Sequence, residues 1–458
     1  MAPDIENIDK GPSVDPQTAG SYRQVWLLAY PAILTMISQT VMWTVDSAMV
    51  GRVGKTELAA VGLGGIFVFT LYAFFIGLTS AVNTFVAQSY GAGRYRKCGM
   101  YLWQGLYVSI AASLLLFVVR AFAPQIVELM RPDDPVQPLS LAYIQIRMLS
   151  APFFLIYYTY SHFYRGVGDT RTPLKVLVVA HLVNVVGDYF LIYGKGPFPE
   201  LGVEGAAWAT TAANVVAAVI FFALTFTKTM RTRYGVLLQK RPRPDELVRL
   251  FRVGLPIAVH FFLDMGSFLV FSAYIGRMGT GALAVNQIAI QILALSFMPC
   301  QGFAISATTL VGHYIGAGRQ ALALKSAYTT LKMGLMYAGF IAVLCLTIPV
   351  QLVKIFSSDP EVVELGRLVL YWAALFQAFD AVQFIADGAL RGAGDTKAPM
   401  LIVVGAAWLL FLPLAYIFGT VLDKGVVGAW AGATLYIMVV GALMFARLRA
   451  GHWRKIRI

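Results

Sequence analysis

Four aspartates stand inside apolar stretches of this chain, two in each half: Asp46, Asp188, Asp264 and Asp380. A carboxylate within a membrane-spanning helix is costly unless it is paired, protonated or bound to a cation. Each of the four therefore marks proton or cation chemistry. Asn184 and Asp188 are four residues apart, on one helix face, with His181 a turn earlier. Their oxygens suit a hard cation such as Na⁺. Thr210, near the start of the next apolar run, adds a hydroxyl.

Thr35, Gln39, Trp43 and Asp46 follow at spacings of four, four and three, again one helix face. His260 and Asp264 are four apart; Asp380 and Asp387 are seven apart, flanked by Gln377 and Gln383. Plainer readings exist for some of these. Asp46 is also explained as a solvated acid at a helix mouth beside Gly51-Arg52, and His181 as a neutral ring capped by backbone. Asp387, close to Arg391, is explained as an ion pair, which leaves the deeper Asp380 as the stronger site candidate. Thr35, Gln39, Trp43 and His260 are weaker candidates for lining a substrate cavity, as are Gln287, Gln377 and Gln383. Tyr and Phe are abundant in the helices. With Met and a few carboxylates they would suit bulky organic cations.

These residues need long apolar helices to hold them, and the sequence supplies about twelve. The expected spans are 24–50, 57–88, 98–121, 138–164, 173–194, 204–227, 248–276, 282–314, 325–350, 362–390, 398–421 and 425–447. Each is long enough to cross a hydrocarbon layer of about 30 Å. Arg165-Gly166-Val167-Gly168-Asp169-Thr170 returns as Arg391-Gly392-Ala393-Gly394-Asp395-Thr396, with a proline three residues on in both copies. Pro31 likewise pairs with Pro256, Gly51-Arg52 with Gly276-Arg277, and the Gly-Ala-Gly-Arg turn at Arg94 with that at Arg319. The chain is two versions of one unit. An even number of helices per half gives both halves one orientation, related by an axis along the membrane normal. The expected organisation is a tail at 1–22, an N-half at 23–228, a linker at 229–247, a C-half at 248–447 and a basic tail at 448–458.

Lys and Arg total 36 against 23 acids, a net charge of +13 in 458 residues. With the N-terminus inside, the inner loops hold Arg94, Lys97, Arg165, Arg171, Arg319, Arg391 and Lys397. The linker adds about eight more, and outer loops hold only about nine. The excess is topological, placing both termini in the cytoplasm and arguing against nucleic acid as a partner. Cys98, Cys300 and Cys345 lie in or beside apolar runs and imply no disulfide framework. No nucleotide-binding glycine loop, His-Glu-x-x-His site or serine elbow occurs, so neither an enzyme nor a bound cofactor is expected. Uphill transport would then run on an ion gradient.

On Pro31, Thr44-Val45-Asp46-Ser47-Ala48-Met49-Val50-Gly51-Arg52, the two Arg-Gly-x-Gly-Asp-Thr loops, Asn184-x-x-x-Asp188 and Gln377-Ala378-Phe379-Asp380, the chain resembles the multidrug and toxic compound extrusion (MATE) family from about residue 24 to 447. The resemblance implies an all-α membrane protein of twelve helices in two six-helix lobes. It also implies efflux of organic, often cationic, drugs and dyes against inward Na⁺ or H⁺, with a monomer sufficient. Asp46 matches the family's first-helix aspartate, and Asn184, Asp188 and Thr210 match an N-lobe set associated with Na⁺ in some members. Asp264 falls where NorM-like members usually carry Glu, and Asp380 where they carry Asp. The chain thus combines DinF-like and NorM-like features, which leaves the coupling ion and its lobe open. A lipid-linked flippase of the related superfamily is the alternative; those usually have extra helices and a more basic cavity.

Overall fold

The computed structural model of the chain describes residues 19–130, 132–456 and 458. Most of the expected N-terminal tail, and Arg131, lie outside the described residues. The N-half comprises α1 (Tyr22–Gly51), α2 (Lys55–Gly91), α3 (Tyr95–Ala121), α4 (Ala123–Met130), α5 (Val136–Leu149), α6 (Ala151–Gly166), α7 (Arg171–Ile192) and α8 (Gly202–Leu224). The short α9 (Lys228–Thr232) begins the connection. The C-half comprises α10 (Pro244–Gly276), α11 (Thr280–Gly316), α12 (Gln320–Thr347), α13 (Pro349–Lys354), α14 (Pro360–Ala393), α15 (Lys397–Ala406), α16 (Leu412–Tyr416) and α17 (Gly425–Ala450). Eleven helices among the described residues are long and apolar enough to cross a membrane, or twelve if the bent pair α5–α6 counts as one span. The protein is an all-α, multi-pass membrane protein.

Local sequence explains most of the boundaries. Ser21 caps α1 by accepting from the Gln24 N–H at 3.3 Å, and Asp359 caps α14 by accepting from Glu361 and Val362. Asp169 accepts from Arg171 and Thr172 backbone N–H groups at 3.1 and 3.0 Å to start α7. The repeated loops share a backbone as well as a sequence. Gly93 and Gly318 have φ of 71° and 72°, and Gly168 and Gly394 have 87° and 89°, values that favour glycine.

Three expectations need correction. The span 138–164 is not one helix: α5 and α6 meet at a 51° bend. Pro152 has no N–H to offer the Met148 carbonyl, so the helical ladder breaks there. The linker expected at 229–247 is shorter, because Pro244 opens α10 at its N-terminus. The connection is also pinned along α3: Trp103 Nε1 donates to the Val236 carbonyl at 2.7 Å and Gln104 Nε2 to the Arg241 carbonyl at 3.2 Å. The tail expected from 448 begins later, since α17 continues to Ala450; within it Trp453 is buried.

The halves join through α2, which packs on α10 and α11, and through α1, which packs on α11. Their seam obeys the internal two-fold. Thr84 Oγ1 donates to the Arg391 carbonyl at 3.1 Å, and its repeat partner Thr309 donates to the Arg165 carbonyl at 3.0 Å. Gln88 Nε2 donates to the Gly392 carbonyl at 3.0 Å, and its counterpart His313 donates to the Gly166 carbonyl at 2.7 Å. Glycines complete the pattern. A Cβ on Gly91 would overlap the His313 backbone and one on Gly316 the Gln88 backbone; Gly77 lies against Ala258 and Gly302 against Ile33 in the same reciprocal way. The interface is isologous within one chain.

These bonds all lie toward the end of the bundle that carries α9 and the last turn of α17. Along α2 and α10 the inter-half ring contacts stop at Phe74 against Phe262, centroids 6.2 Å apart. Beyond that pair, toward Lys55 and Gly276, no inter-half hydrogen bond or ring contact forms among the described residues. The hydrogen-bonded joint between the halves is therefore confined to the terminal end among the described residues.

Candidate functional site

The helices hold two polar clusters, one in each half. In the N-half, α1 and α7 bring Asp46 and Asp188 together from opposite ends of a long sequence separation. Their carboxyl groups are near enough to act on one another electrostatically, and Arg147 of α5 acts on both in the same way. Asp188 is fully buried and Asp46 half-buried. Asn184 Nδ2 donates to Asp188 Oδ2 at 2.9 Å. Asp46 Oδ1, Asp188 Oδ1 and one terminal nitrogen of Arg147 are buried without a partner. Unpaired buried polar atoms are rare enough to mark a place where something further binds.

Arg147 is the residue the sequence reading missed. It sits inside the 138–164 apolar run, and a lone cation there was itself a signal. Tyr72 Oη holds its carbonyl at 2.6 Å, beside the bend that lets α5 turn toward the cluster.

The face shared by Thr35, Gln39, Trp43 and Asp46 divides by depth. Thr35 is buried and its hydroxyl returns to the Pro31 carbonyl at 2.7 Å. Gln39 Nε2 donates to Tyr158 Oη at 3.0 Å. Trp43 is exposed, edge-on to Phe69 at 5.0 Å. Thr210 donates to the Ala206 carbonyl of its own helix at 2.9 Å. His181 is not capped by backbone as one reading had it; its Nδ1 shares a hydrogen bond with Ser38 Oγ at 2.8 Å.

The C-half cluster is larger and differently wired. Asp264 stands half a turn beyond Phe262 and is near enough to Asp380 of α14 to act on it electrostatically, and Tyr436 of α17 feels both. One turn deeper, Asp387 pairs with Arg391, whose guanidinium also donates to His260 Nδ1 at 3.2 Å and covers the Phe261 ring at 4.6 Å. Gln377 is buried and accepts from Ser296, while its Nε2 and the Oε1 of Gln383 are buried without partners. Gln287 is exposed; its neighbour Asn286 is the buried amide of that turn.

Arg165 departs from its expected place in an inner loop. It is 5 % exposed, close to Tyr157 and Tyr158, and forms no salt bridge among the described residues. Its repeat partner Arg391 thus has an acid and a histidine where Arg165 has Ser161 and Thr35 at the corresponding positions. The three cysteines are buried and free. No group of three or more His, Cys, Asp or Glu that could hold a metal occurs among the described residues.

Comparison with known proteins supports this architecture. The profile of the MatE family matches residues 31–190 and 256–417, one copy per half. The probable multidrug resistance protein NorM of Thermotoga maritima is 29% identical over 430 residues, covering 93% of this chain and 92% of that protein. The multidrug resistance protein MdtK of Yersinia pestis is 30% identical over 435 residues, covering 93% and 95%. Among solved structures, an outward-facing multidrug resistance MATE transporter of the MOP superfamily superposes with a TM-score of 0.86 at 22% identity, over 94% and 95% of the two chains. The duplicated profile, the curated relatives and the shared fold lead to one assignment: the chain belongs to the MatE, or multidrug and toxic compound extrusion, family of membrane transporters.

Proposed function

We propose that this protein exports amphipathic, mostly cationic organic compounds across the cell membrane in exchange for inward H⁺ or Na⁺. One observation carries the reading: two similar halves, joined by reciprocal hydrogen bonds at one end of the bundle, with an acidic cluster in each half. Alternating access follows from such a build, because the two halves can rock about the seam and open a cleft to either side. The cleft offers an organic cation carboxylates for charge and aromatic faces such as Trp43 and Phe69 for contact.

Exchange arises by competition for negative charge. A proton or Na⁺ taken up at Asp46 and Asp188, or at Asp264 and Asp380, lowers the negative charge available to the organic cation and favours its release. The halves then return with the ion. The loop charges favour a cytoplasmic position for both termini, and with that orientation the end of the bundle away from the inter-half hydrogen bonds faces outward. Names of the curated relatives, both multidrug resistance proteins, support the cargo class. One copy of the chain encloses the pathway, so a monomer embedded in lipid is the working unit.

Purified protein in liposomes, loaded with a fluorescent organic cation, tests this. Efflux is expected under one of two conditions: a Na⁺ gradient with the pH gradient collapsed, or the reverse. Efflux under neither would overturn ion-driven export.

A further inference from the structure

We propose that the N-half binds a small monovalent anion, of the size of chloride or formate, on the face of α6 that carries Tyr157, Ser161, His162 and Arg165. The export reading does not require this site, and the inference stands apart from it.

The internal repeat supplies the comparison. In the C-half the guanidinium of Arg391 is met by the carboxylate of Asp387, one turn earlier on α14, and by His260 Nδ1 at 3.2 Å. Shifted by the repeat, those two positions are Ser161 and Thr35. Ser161 brings no charge, and the Thr35 hydroxyl returns to the Pro31 carbonyl at 2.7 Å. Arg165 thus keeps the place of Arg391 without its counter-ion. The Arg165 main chain is fixed at the seam, where its carbonyl accepts from Thr309 at 3.0 Å. Its side chain forms no ion pair or hydrogen bond among the described residues. The acids on the helices around α6, namely Asp46, Glu57, Asp188 and Glu204, all stand at the other end of the bundle. Asp169, four residues on, turns instead to Arg171 and Thr172.

A guanidinium does not lose its proton, so burial leaves it in need of negative charge. Arg165 is 5 % exposed. A helical side chain leans over the turn before it, which brings this guanidinium toward Ser161 and His162. Three polar atoms on the same face, Tyr157 Oη, Ser161 Oγ and His162 Nε2, are buried without a partner. Their residues are 4 %, 0 % and 6 % exposed and lie within about two turns of Arg165. Each of the three can donate, the imidazole in one of its tautomers. One permanent cation and three further donors on one helix face form a set that a ligand made only of acceptors completes. The ligand is small, because Ser161 falls short of Asp387 by little more than a carboxyl group. It is monovalent, because the place carries one formal charge.

The test is the thermal unfolding midpoint of the purified full-length protein as sodium chloride replaces sodium gluconate, at constant Na⁺, pH and ionic strength. Gluconate is too large for the site. A rise of roughly 2 °C is expected between about 1 and about 100 mM chloride. Sodium formate in place of chloride separates a carboxylate ligand from a halide, and a rise with either supports the site. Ser161→Asp rebuilds the arrangement around Arg391 and supplies the counter-charge from the chain. That variant should lose the anion response and unfold no earlier than the unaltered protein does in gluconate. Arg165→Met should lose the response as well.

Equal midpoints in gluconate, chloride and formate would overturn the proposal. A chloride or formate response that survives undiminished in Ser161→Asp or in Arg165→Met would overturn it equally, since the anion would then bind elsewhere.

Discussion

The two halves share a backbone and differ in where they put charge. At the centre of the seam the repeat is obeyed: Thr84 answers Thr309, Gly91 answers Gly316, Gly77 answers Gly302. At the polar clusters it is ignored. Shifted by the repeat, Asp46 falls on Phe271, Arg147 on Ala373, Asp264 on Gln39 and Asp380 on Phe154. The seam moves the halves against each other, and for that task equivalence is useful. Holding ions is a task that either half can perform alone, and each has done it with residues at unrelated positions. Structural duplication therefore does not predict a duplicated site.

Substitutions at paired positions sharpen this contrast. The largest effect is expected at the two repeat arginines. Arg391→Ala strands the buried carboxylate of Asp387 and should cost about 3–5 kcal/mol, whereas Arg165→Ala leaves no acid behind and should cost about 1 kcal/mol. Thermal unfolding of the two purified variants measures the difference; equal losses would show the arginines to be wired alike. Next come the seam glycines. Gly91→Ala and Gly316→Ala each press a methyl into a neighbouring backbone and should each cost about 1–3 kcal/mol, the same within error. A large inequality between them would break the symmetry of the seam. The smallest effect is expected for Thr84→Val and Thr309→Val, about 0.6 kcal/mol apiece, in line with hydrogen bonds between membrane helices. The double variant should also raise cysteine labelling at Gln88→Cys, because a weaker seam opens more often. Unchanged labelling would mean that these bonds do not govern opening.

Much of the fold was legible in the sequence, because a bilayer demands long apolar runs and their number and order survive any packing detail. The repeat was legible for a similar reason: glycines at positive φ leave little choice of residue, so Gly168 and Gly394 stand out. The bend at Ser150 was missed although Pro152 announced it. The short α4 was missed because eight residues are too few to register as a span. Within the sites, spacing placed Asn184 with Asp188 and His260 with Asp264, since one helix carries both members. It could not place Asp46 against Asp188, Ser38 against His181 or His260 against Arg391, whose partners lie more than a hundred residues apart. Arg147 was passed over because the apolar residues around it dominated the reading of that stretch.

The seam carries one more consequence. Its acceptors are the main-chain carbonyls of Arg165, Gly166, Arg391 and Gly392, and its closest approaches are between glycines and backbone. Such contacts draw on atoms that every amino acid possesses, so they tolerate sequence drift in the rest of each half. After the ancestral unit doubled, the two copies could remain mated while everything facing the cleft was rewritten. Evolvability of the cargo site is in this sense built into the joint, which asks of its neighbours only that a few positions stay small.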